Sequence, residues 1–250
     1  MKFWIGSYSL SVNVAEWAGL QQALVQRFEA HQGFALATLN MDHLEKLRRD
    51  EAFRQAYRAQ DLVVADGNPI VWMSRLAGRP VDLMPGSDLV LPITTLCAAH
   101  QVPIALIGSQ ADALSRAAEA LRAENPDLKI AYQHAPKMGF DPMGEEAVDI
   151  LNAAQDAGAR VCLLALGAPK QERFAARGRQ LTPDLGFVSI GAGLDFLAGT
   201  QTRAPRWVRQ MAMEWLWRML GNPARLASRY AKNFAILPGH VMRSKLRSQE

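Results

Sequence analysis

The feature that most constrains the fold is a regular alternation, over the first 200 residues, of short apolar runs with amphipathic segments. Short apolar runs that end at Gly, Asn or Asp are typical of strands buried on both faces of a sheet. The predicted strands occupy residues 34–39, 62–65, 103–107, 128–132, 161–166 and 186–190. A further strand or hairpin is predicted within residues 3–14.

The segments between these runs carry apolar residues at helical spacing. Trp17, Leu24 and Phe28 lie on one predicted helical face, and Leu114 and Leu121 lie on another. Alternation of strands and helices predicts βαβ units. We therefore expect residues 1–200 to form a single α/β, Rossmann-like domain with a mostly parallel sheet flanked by helices.

The composition changes near residue 200, where a basic, Trp- and Arg-rich segment begins. From Arg203 onward ten Lys or Arg face only Glu214 and Glu250, a charge of +8 that leaves −4 for residues 1–202 and +4 overall. We interpret residues 201–250 as a helical appendage, with two helices over 203–236 broken near Pro223. Such asymmetry favours a polyanionic partner, either a membrane surface or nucleic acid.

The tail also has a plainer interpretation, in which Trp215 and its apolar neighbours pack on the core and the arginines are solvated. Trp207, Trp215 and Trp217, interleaved with arginines, suit a membrane interface, and they also suit nucleic acid through phosphate contacts. These alternatives stay open on residue pattern alone.

Several classes of protein are disfavoured by what the sequence lacks. Cys97 and Cys162 are too few for a disulfide framework or a zinc site. No run approaches the roughly 20 apolar residues of a membrane-spanning helix, and the N-terminus lacks the apolar core of a signal peptide. The histidines lack ligand spacing and no Asp-x-Asp occurs, so we expect a cytosolic protein without metal or other cofactor.

Ligands of parallel sheets bind at the carboxyl ends of the strands, so the residues that follow each run are the candidate site. Asp66 ends the run 62–65 and precedes Gly67, Asn68 and Pro69. A carboxylate fixed at that point can act as a general base. The alternative is a solvated turn aspartate before a helix that Asn68 caps and Pro69 begins.

Other strand ends carry residues suited to an anionic or sugar ligand. Ser109 follows Gly108 and precedes Asp112, which is typical of a capping box or of a phosphate site at a helix N-terminus. Lys170 and Gln171 lie in a predicted first helical turn, where a cation is unfavourable unless a ligand charge offsets it. Gly191-Ala192-Gly193 is only a fragment of a dinucleotide-binding motif, which makes dinucleotide binding improbable.

Several segments of the chain, taken together, show that it resembles the WecG/TagA/CpsF family of glycosyltransferases over nearly its whole length. The matching segments are Thr38-Leu39-Asn40, Ala65-Asp66-Gly67, Gly86-Ser87-Asp88-Leu89, Gly167-Ala168-Pro169-Lys170-Gln171-Glu172, Gly191-Ala192-Gly193-Leu194-Asp195, Arg203-Ala204-Pro205, Glu214-Trp215-Leu216 and Asn222-Pro223-Ala224-Arg225. The resemblance implies inverting, metal-independent transfer of a sugar from a UDP-sugar to a polyprenyl-diphosphate-linked sugar in bacterial exopolysaccharide or other surface-polysaccharide synthesis. It also implies a peripheral enzyme on the cytoplasmic face of the inner membrane.

The resemblance assigns roles to particular residues. It makes Asp66 the catalytic base, and it places Arg218, Arg225 and Arg229 against the lipid diphosphate. Together with the strand-end positions, it gives a predicted donor- or substrate-binding set of Thr38, Asn40, Gly67, Asn68, Gly86, Asp88, Gly108, Ser109, Lys170, Gln171 and Asp195.

The chain departs from the family pattern before Gly86, where many relatives carry an arginine and this sequence has Leu83-Met84-Pro85.

The partners that the resemblance implies are the two substrates and an anionic membrane surface rather than nucleic acid, and a homo-oligomer is compatible with the sequence. A nucleotide-sugar-binding enzyme with a soluble acceptor is the alternative function. A nucleic-acid-binding module is the weaker one, because residues 1–202 are acidic.

Overall fold

The computed structural model describes residues 1–5 and 8–202, together with Ala204, Pro205, Val208 and Trp217. Strands within these residues are β1 Lys2–Ile5, β2 Tyr8–Ser11, β3 Phe34–Leu39, β4 Leu62–Ala65, β5 Ile104–Gly108, β6 Ile130–His134, β7 Val161–Ala165 and β8 Gly186–Ser189. Helices are α1 Trp17–Glu29, α2 Met41–Arg49, α3 Glu51–Arg58, α4 Asn68–Leu76, α5 Gly86–Ala99, α6 Ala111–Glu124, α7 Glu145–Asp156, α8 Lys170–Leu181 and α9 Gly193–Leu197.

Six strands form one parallel sheet in the order β4-β3-β8-β7-β5-β6, which confirms the predicted α/β class. The last strand, β8, lies between β3 and β7 near the middle of the sheet. The first two strands pair separately as an antiparallel hairpin, with Phe3 opposite Leu10. This hairpin confirms the prediction for residues 3–14.

The predicted strands differ from the observed ones mainly at their ends. Pro103 has no N–H to donate to a neighbouring strand, and β5 begins after it at Ile104. The carbonyl oxygen of Pro103 accepts from the N–H groups of Arg160 and Val161. The prediction that the run 128–132 is a strand buried on both faces was wrong in its burial. The observed strand, β6, is the edge of the sheet and is partly exposed along its length.

Apolar side chains of the central strands alternate between the two faces of the sheet, and each face is covered by helices. Leu36, Leu106 and Leu163 lie in one cluster with residues of α1, α5 and α6. The opposite face packs against α7 and α8 on one side, and against α2, α3, α4 and the hairpin on the other. This packing fixes every strand end, so the turns that follow β3, β4, β5, β7 and β8 emerge at one carboxyl edge.

Two glycines allow close packing beneath that edge. A Cβ on Gly86, the first residue of α5, would lie 2.9 Å from the carbonyl oxygen of Ser189 at the end of β8. Gly108 has φ +117°, and a Cβ there would lie 2.4 Å from the carbonyl oxygen of Ala165 in β7. Larger residues at either position would push apart the turns that form the edge.

Candidate active site

The predicted site residues of the first 202 positions lie at the carboxyl ends of strands, in the turns that follow them, or in the first turns of helices at the same edge. Asp66 is half-buried at the end of β4. Its Oδ2 accepts a hydrogen bond from Asn40 Nδ2 at 3.2 Å and a longer one from Thr38 Oγ1 at 3.4 Å. The structure therefore brings together three residues that the sequence places 26 and 28 positions apart.

Asn40 is held in one orientation by the helix it caps. Its Oδ1 accepts from the backbone N–H of His43 at 3.0 Å, which satisfies an open donor at the start of α2. With the amide oxygen engaged there, the amide nitrogen points to Asp66. The cap of α4 is Gly67, with φ +109°, rather than the predicted Asn68, and α4 begins at Asn68 with Pro69 in its first turn.

A buried polar cluster lies beneath Thr38. The Tyr57 hydroxyl donates to the Thr38 carbonyl oxygen at 2.6 Å, and His43 Nδ1 lies 2.8 Å from the same oxygen and 2.7 Å from the Tyr57 hydroxyl. Burial, helped by nearby carboxylates that include Glu172 and Asp66, raises the pKa of Tyr57 well above its ordinary value. Tyr57 therefore stays a neutral donor that fixes the end of β3.

The second carboxylate of the site, Asp195, lies in the short helix α9, which follows the turn after β8. Its Oδ1 accepts from Ser109 Oγ, and its Oδ2 accepts from Gln201 Nε2 at 3.0 Å. Its backbone carbonyl also accepts from Thr200 N–H at 3.0 Å. Asp195 thus joins the turn after β5 to the segment that follows α9.

The predicted capping box at Ser109 was wrong. Ser109 has φ +60°, and the cap of α6 is Gln110, whose side chain makes no cap hydrogen bond. The Ser109 hydroxyl bonds to Asp195, so it is unavailable for the cap. The left-handed conformation of Ser109, which L residues rarely adopt, aims its side chain across the edge of the sheet.

Gln171 and Glu172 lie in the first turn of α8 beneath the same edge, and both are buried. Gln171 Oε1 accepts from the Gly191 N–H at 3.1 Å, and Gln171 Nε2 donates to Glu172 Oε1 at 2.9 Å. Burial raises the pKa of Glu172 to about 7. Gln171 therefore supports the turn after β8, with its side chain only 2 % exposed.

The remaining candidates lie on the rim. Lys170 and Asp88 are half-buried in the first turns of α8 and α5. Pro169, expected in the first turn of its helix, is the cap of α8 instead. The appendage predictions, including Arg218, Arg225, Arg229 and the helices over 203–236, lie outside the described residues.

Four residues that the sequence did not single out contribute to the edge: His43, Lys46, Tyr57 and Glu172. Lys46 pairs with Asp42 at 2.8 Å and donates to the Ala168 carbonyl oxygen at 3.0 Å, so it ties α2 to the turn before α8. The signal that could have found them is polar residues on the buried helical faces of α2, α3 and α8. Burial of a polar group requires a partner, and these partners lie at the ends of strands.

Within the described residues, no cluster of three or more His, Cys, Asp or Glu has the geometry to hold a metal ion. Within the same residues, no helix has the length and apolar character needed to cross a bilayer.

A parallel α/β sheet with carboxylates and helix starts at one edge is an arrangement used by enzymes that act on nucleotide-linked substrates. The chain belongs to the WecG/TagA/CpsF family of glycosyltransferases, whose family model matches residues 7–250. It is similar to the N-acetylglucosaminyldiphosphoundecaprenol N-acetyl-beta-D-mannosaminyltransferase of Bacillus subtilis (strain 168). The two are 25 % identical over 195 residues, which cover 77 % of this chain and 73 % of the relative. The fold and the activity class of this chain are therefore those of a glycosyltransferase.

Proposed function

We propose that this glycosyltransferase moves a sugar from a UDP-sugar to a polyprenyl-diphosphate-linked sugar, with inversion at the anomeric carbon and without a metal ion. The lipid-linked acceptor is supported by the relative, whose name specifies a diphosphoundecaprenol-linked N-acetylglucosamine. The proposed setting is bacterial surface-polysaccharide synthesis on the cytoplasmic face of the inner membrane.

The observation that carries the proposal is the placement of Asp66. Its carboxylate is half-buried at the carboxyl edge of the sheet, and Asn40 and Thr38 both bind the same oxygen, Oδ2. A carboxylate oriented in this way is preorganised to take a proton from a bound hydroxyl. Its neighbours Asn40 and Thr38 are neutral donors, so they orient the carboxylate without adding a charge.

The chemical step follows from that placement. Asp66 takes the proton of one acceptor hydroxyl, whose oxygen forms a bond to the anomeric carbon of the donor. The bond from that carbon to the diphosphate oxygen breaks on the opposite face, and UDP leaves with the electron pair. Attack from the face opposite the leaving group inverts the anomeric configuration.

The leaving diphosphate requires positive charge or N–H donors at the same edge. Lys170, in the first turn of α8, supplies a cation there, and the first turns of α5, α6 and α8 present backbone N–H groups. Preorganised donors of this kind stabilise the charge that develops in the transition state. Addition of EDTA tests metal independence, and the expected result is unchanged turnover.

A membrane contact is proposed because of the surface of α4, the helix that directly follows Asp66. Trp72 and Leu76 are 47 % and 50 % exposed one turn apart, and Arg75 is exposed beside them. Aromatic, aliphatic and basic side chains on one helical face suit an anionic bilayer surface. A lipid-linked acceptor would then reach Asp66 from the membrane.

The experiment uses the purified full chain with a panel of UDP-sugars and a short-chain lipid-diphosphate N-acetylglucosamine, and it measures product mass and anomeric configuration. We expect one product, which is heavier than the acceptor by one sugar and has the inverted anomeric configuration. The matched negative control is Asp66→Asn and the matched positive control is Asp184→Asn, an exposed carboxylate at the opposite edge. Transfer to a soluble sugar but not to the lipid-linked one would overturn the assigned acceptor.

A further inference from the structure

Glu172 is a buried acid that the proposed reaction does not use. It lies in the first turn of α8 and is 0 % exposed. In the part of the chain that the structure describes, its Oε2 has no hydrogen-bond partner. The titratable groups that face it are Asp42 and Lys46 on α2 and Tyr57 on α3. Lys46 lowers and Asp42 raises the pKa of Glu172, and burial has the largest influence on it.

Packing does not explain an acid at this position. A buried carboxyl group with an unsatisfied oxygen destabilises a fold relative to an apolar side chain of the same size. The pKa of Glu172, raised by burial to about 7, is the expression of that cost. The other carboxyl oxygen must therefore provide something that an apolar side chain cannot.

That other oxygen, Oε1, accepts a hydrogen bond from Gln171 Nε2 at 2.9 Å. The opposite end of the same amide, Gln171 Oε1, accepts from the Gly191 N–H at 3.1 Å. Gly191 is the first residue after Ile190 in the turn that leads to Asp195, and its φ is +56°. A chain of two hydrogen bonds thus runs from Glu172 to the turn.

The direction of the Gln171 amide decides whether this chain exists. A half-turn of the amide would exchange its oxygen and nitrogen and would set Nε2 against the Gly191 N–H, donor against donor. A carboxyl oxygen at the other end favours the observed direction, because it accepts from Nε2 and would repel Oε1. An apolar residue at position 172 would leave both directions available.

We propose that Glu172 is a positioning residue for the transfer reaction: it fixes the Gln171 amide, which holds the Gly191 N–H and thereby the turn that leads to Asp195. This role rests on the proposed function as far as catalysis is concerned, whereas the ordering of the turn does not. Asp195 in turn bonds to Ser109 and Gln201, so a disordered turn would loosen the contacts with the turn after β5 and with the segment after α9.

The test compares Glu172→Met, which removes the acceptor, with Glu172→Gln, which keeps a side-chain oxygen for Gln171. The Glu172→Met variant should lose about tenfold in turnover, and amide hydrogen exchange at Gly191 should be about tenfold faster, as expected for loss of one hydrogen bond. Its melting temperature should stay equal to or above that of the wild type, which a purely structural role would not produce. The Glu172→Gln variant should stay within about threefold of the wild type in both readouts.

A double-variant cycle shows whether Glu172 acts through Gln171. The Gln171→Leu, Glu172→Met double variant should be no slower than Gln171→Leu alone, because the chain is already broken. Losses that multiply would overturn the proposal, and so would wild-type exchange at Gly191 in Glu172→Met. If Glu172→Met does not fold, Glu172→Asp, which draws the carboxyl back by one methylene, must show the faster exchange.

The exchange measurement also separates this inference from the proposed function. If the wild-type chain transfers no sugar to any lipid-linked acceptor, the proposed function fails, yet the Gly191 exchange rates still test the hydrogen-bond chain. If transfer occurs and exchange does not respond to Glu172→Met, the positioning role alone fails.

Discussion

The two carboxylates at the edge of the sheet, Asp66 after β4 and Asp195 after β8, are alike in sequence context and unlike in surroundings. Both follow a buried strand and a glycine lies close to each. Asp66 accepts from Thr38 and Asn40 at the end of the adjacent strand β3, whereas Asp195 accepts from Ser109 after β5 and from Gln201 after α9. The difference teaches that these contacts of Asp66 lie within one pair of neighbouring strand ends, which suits the proposed base, whereas those of Asp195 join separate segments.

The largest effect expected from this contrast is on turnover. Asp66→Asn should lower the transfer rate about 10²- to 10⁴-fold, because an amide at that position cannot accept the proton. Circular dichroism and the melting temperature should remain those of the wild type. A rate within threefold of the wild type would show that Asp66 is not the base.

The support beneath the two turns differs as well, since a neutral Asn40 orients Asp66 whereas the buried Glu172 supports the turn of Asp195. The pKa of Glu172 is raised from an ordinary value of 4.5 to about 7 in the fold. Its folded state therefore binds the proton more tightly, so its contribution to stability is full below about pH 4.5 and is lost as pH rises through about 7.

The difference in the free energy of unfolding between wild type and Glu172→Met should accordingly shift by about 3 kcal/mol over that pH window, in favour of the variant at higher pH. Urea unfolding at a series of pH values measures it. Parallel stability profiles for the two proteins would mean that Glu172 does not titrate in this range.

A smaller effect is expected at Asp195. Asn at this position keeps one acceptor oxygen and loses one of the two side-chain bonds, a change worth about 1.5 kcal/mol for a bond to a charged group. Asp195→Asn should therefore slow transfer about tenfold, far less than Asp66→Asn. Equal losses of transfer rate in the two variants would contradict a difference in role between the two carboxylates.

The smallest effect concerns the helices that follow the two turns. The α4 helix after Asp66 exposes Trp72 and Leu76, whereas the short α9 has no residue that is fully exposed. Replacing Trp72 and Leu76 by Ser should weaken binding to anionic vesicles about fivefold in sedimentation, with unchanged binding for Leu181→Ser at the opposite edge. Equal binding of all three proteins would contradict a membrane contact through α4.

Much of the edge could be predicted because parallel strands bring distant turns together. The strand runs located the turns, so Asp66, Asn40 and Thr38 could be placed near one another before their contacts were known. The predicted capping box at Ser109 was wrong because the conformation of Ser109 is set by contacts with residues distant in sequence. Gly108 packs against β7, and the Ser109 hydroxyl bonds to Asp195. Glu172 was missed for the same reason, since only its buried position makes a first-turn acid unusual.

The position of β8 in the sheet has a consequence for how the chain is made. During synthesis, β3 and β4 can pair with each other, and β5, β6 and β7 can form a second small sheet. The two cannot be joined until β8 leaves the ribosome and pairs with Phe34 in β3 and Val161 in β7. A nascent chain that ends before β8 therefore keeps the turns after β4 and β7 on separate pieces of sheet, and the edge that brings Asp66 and Lys170 together forms only once β8 has been made.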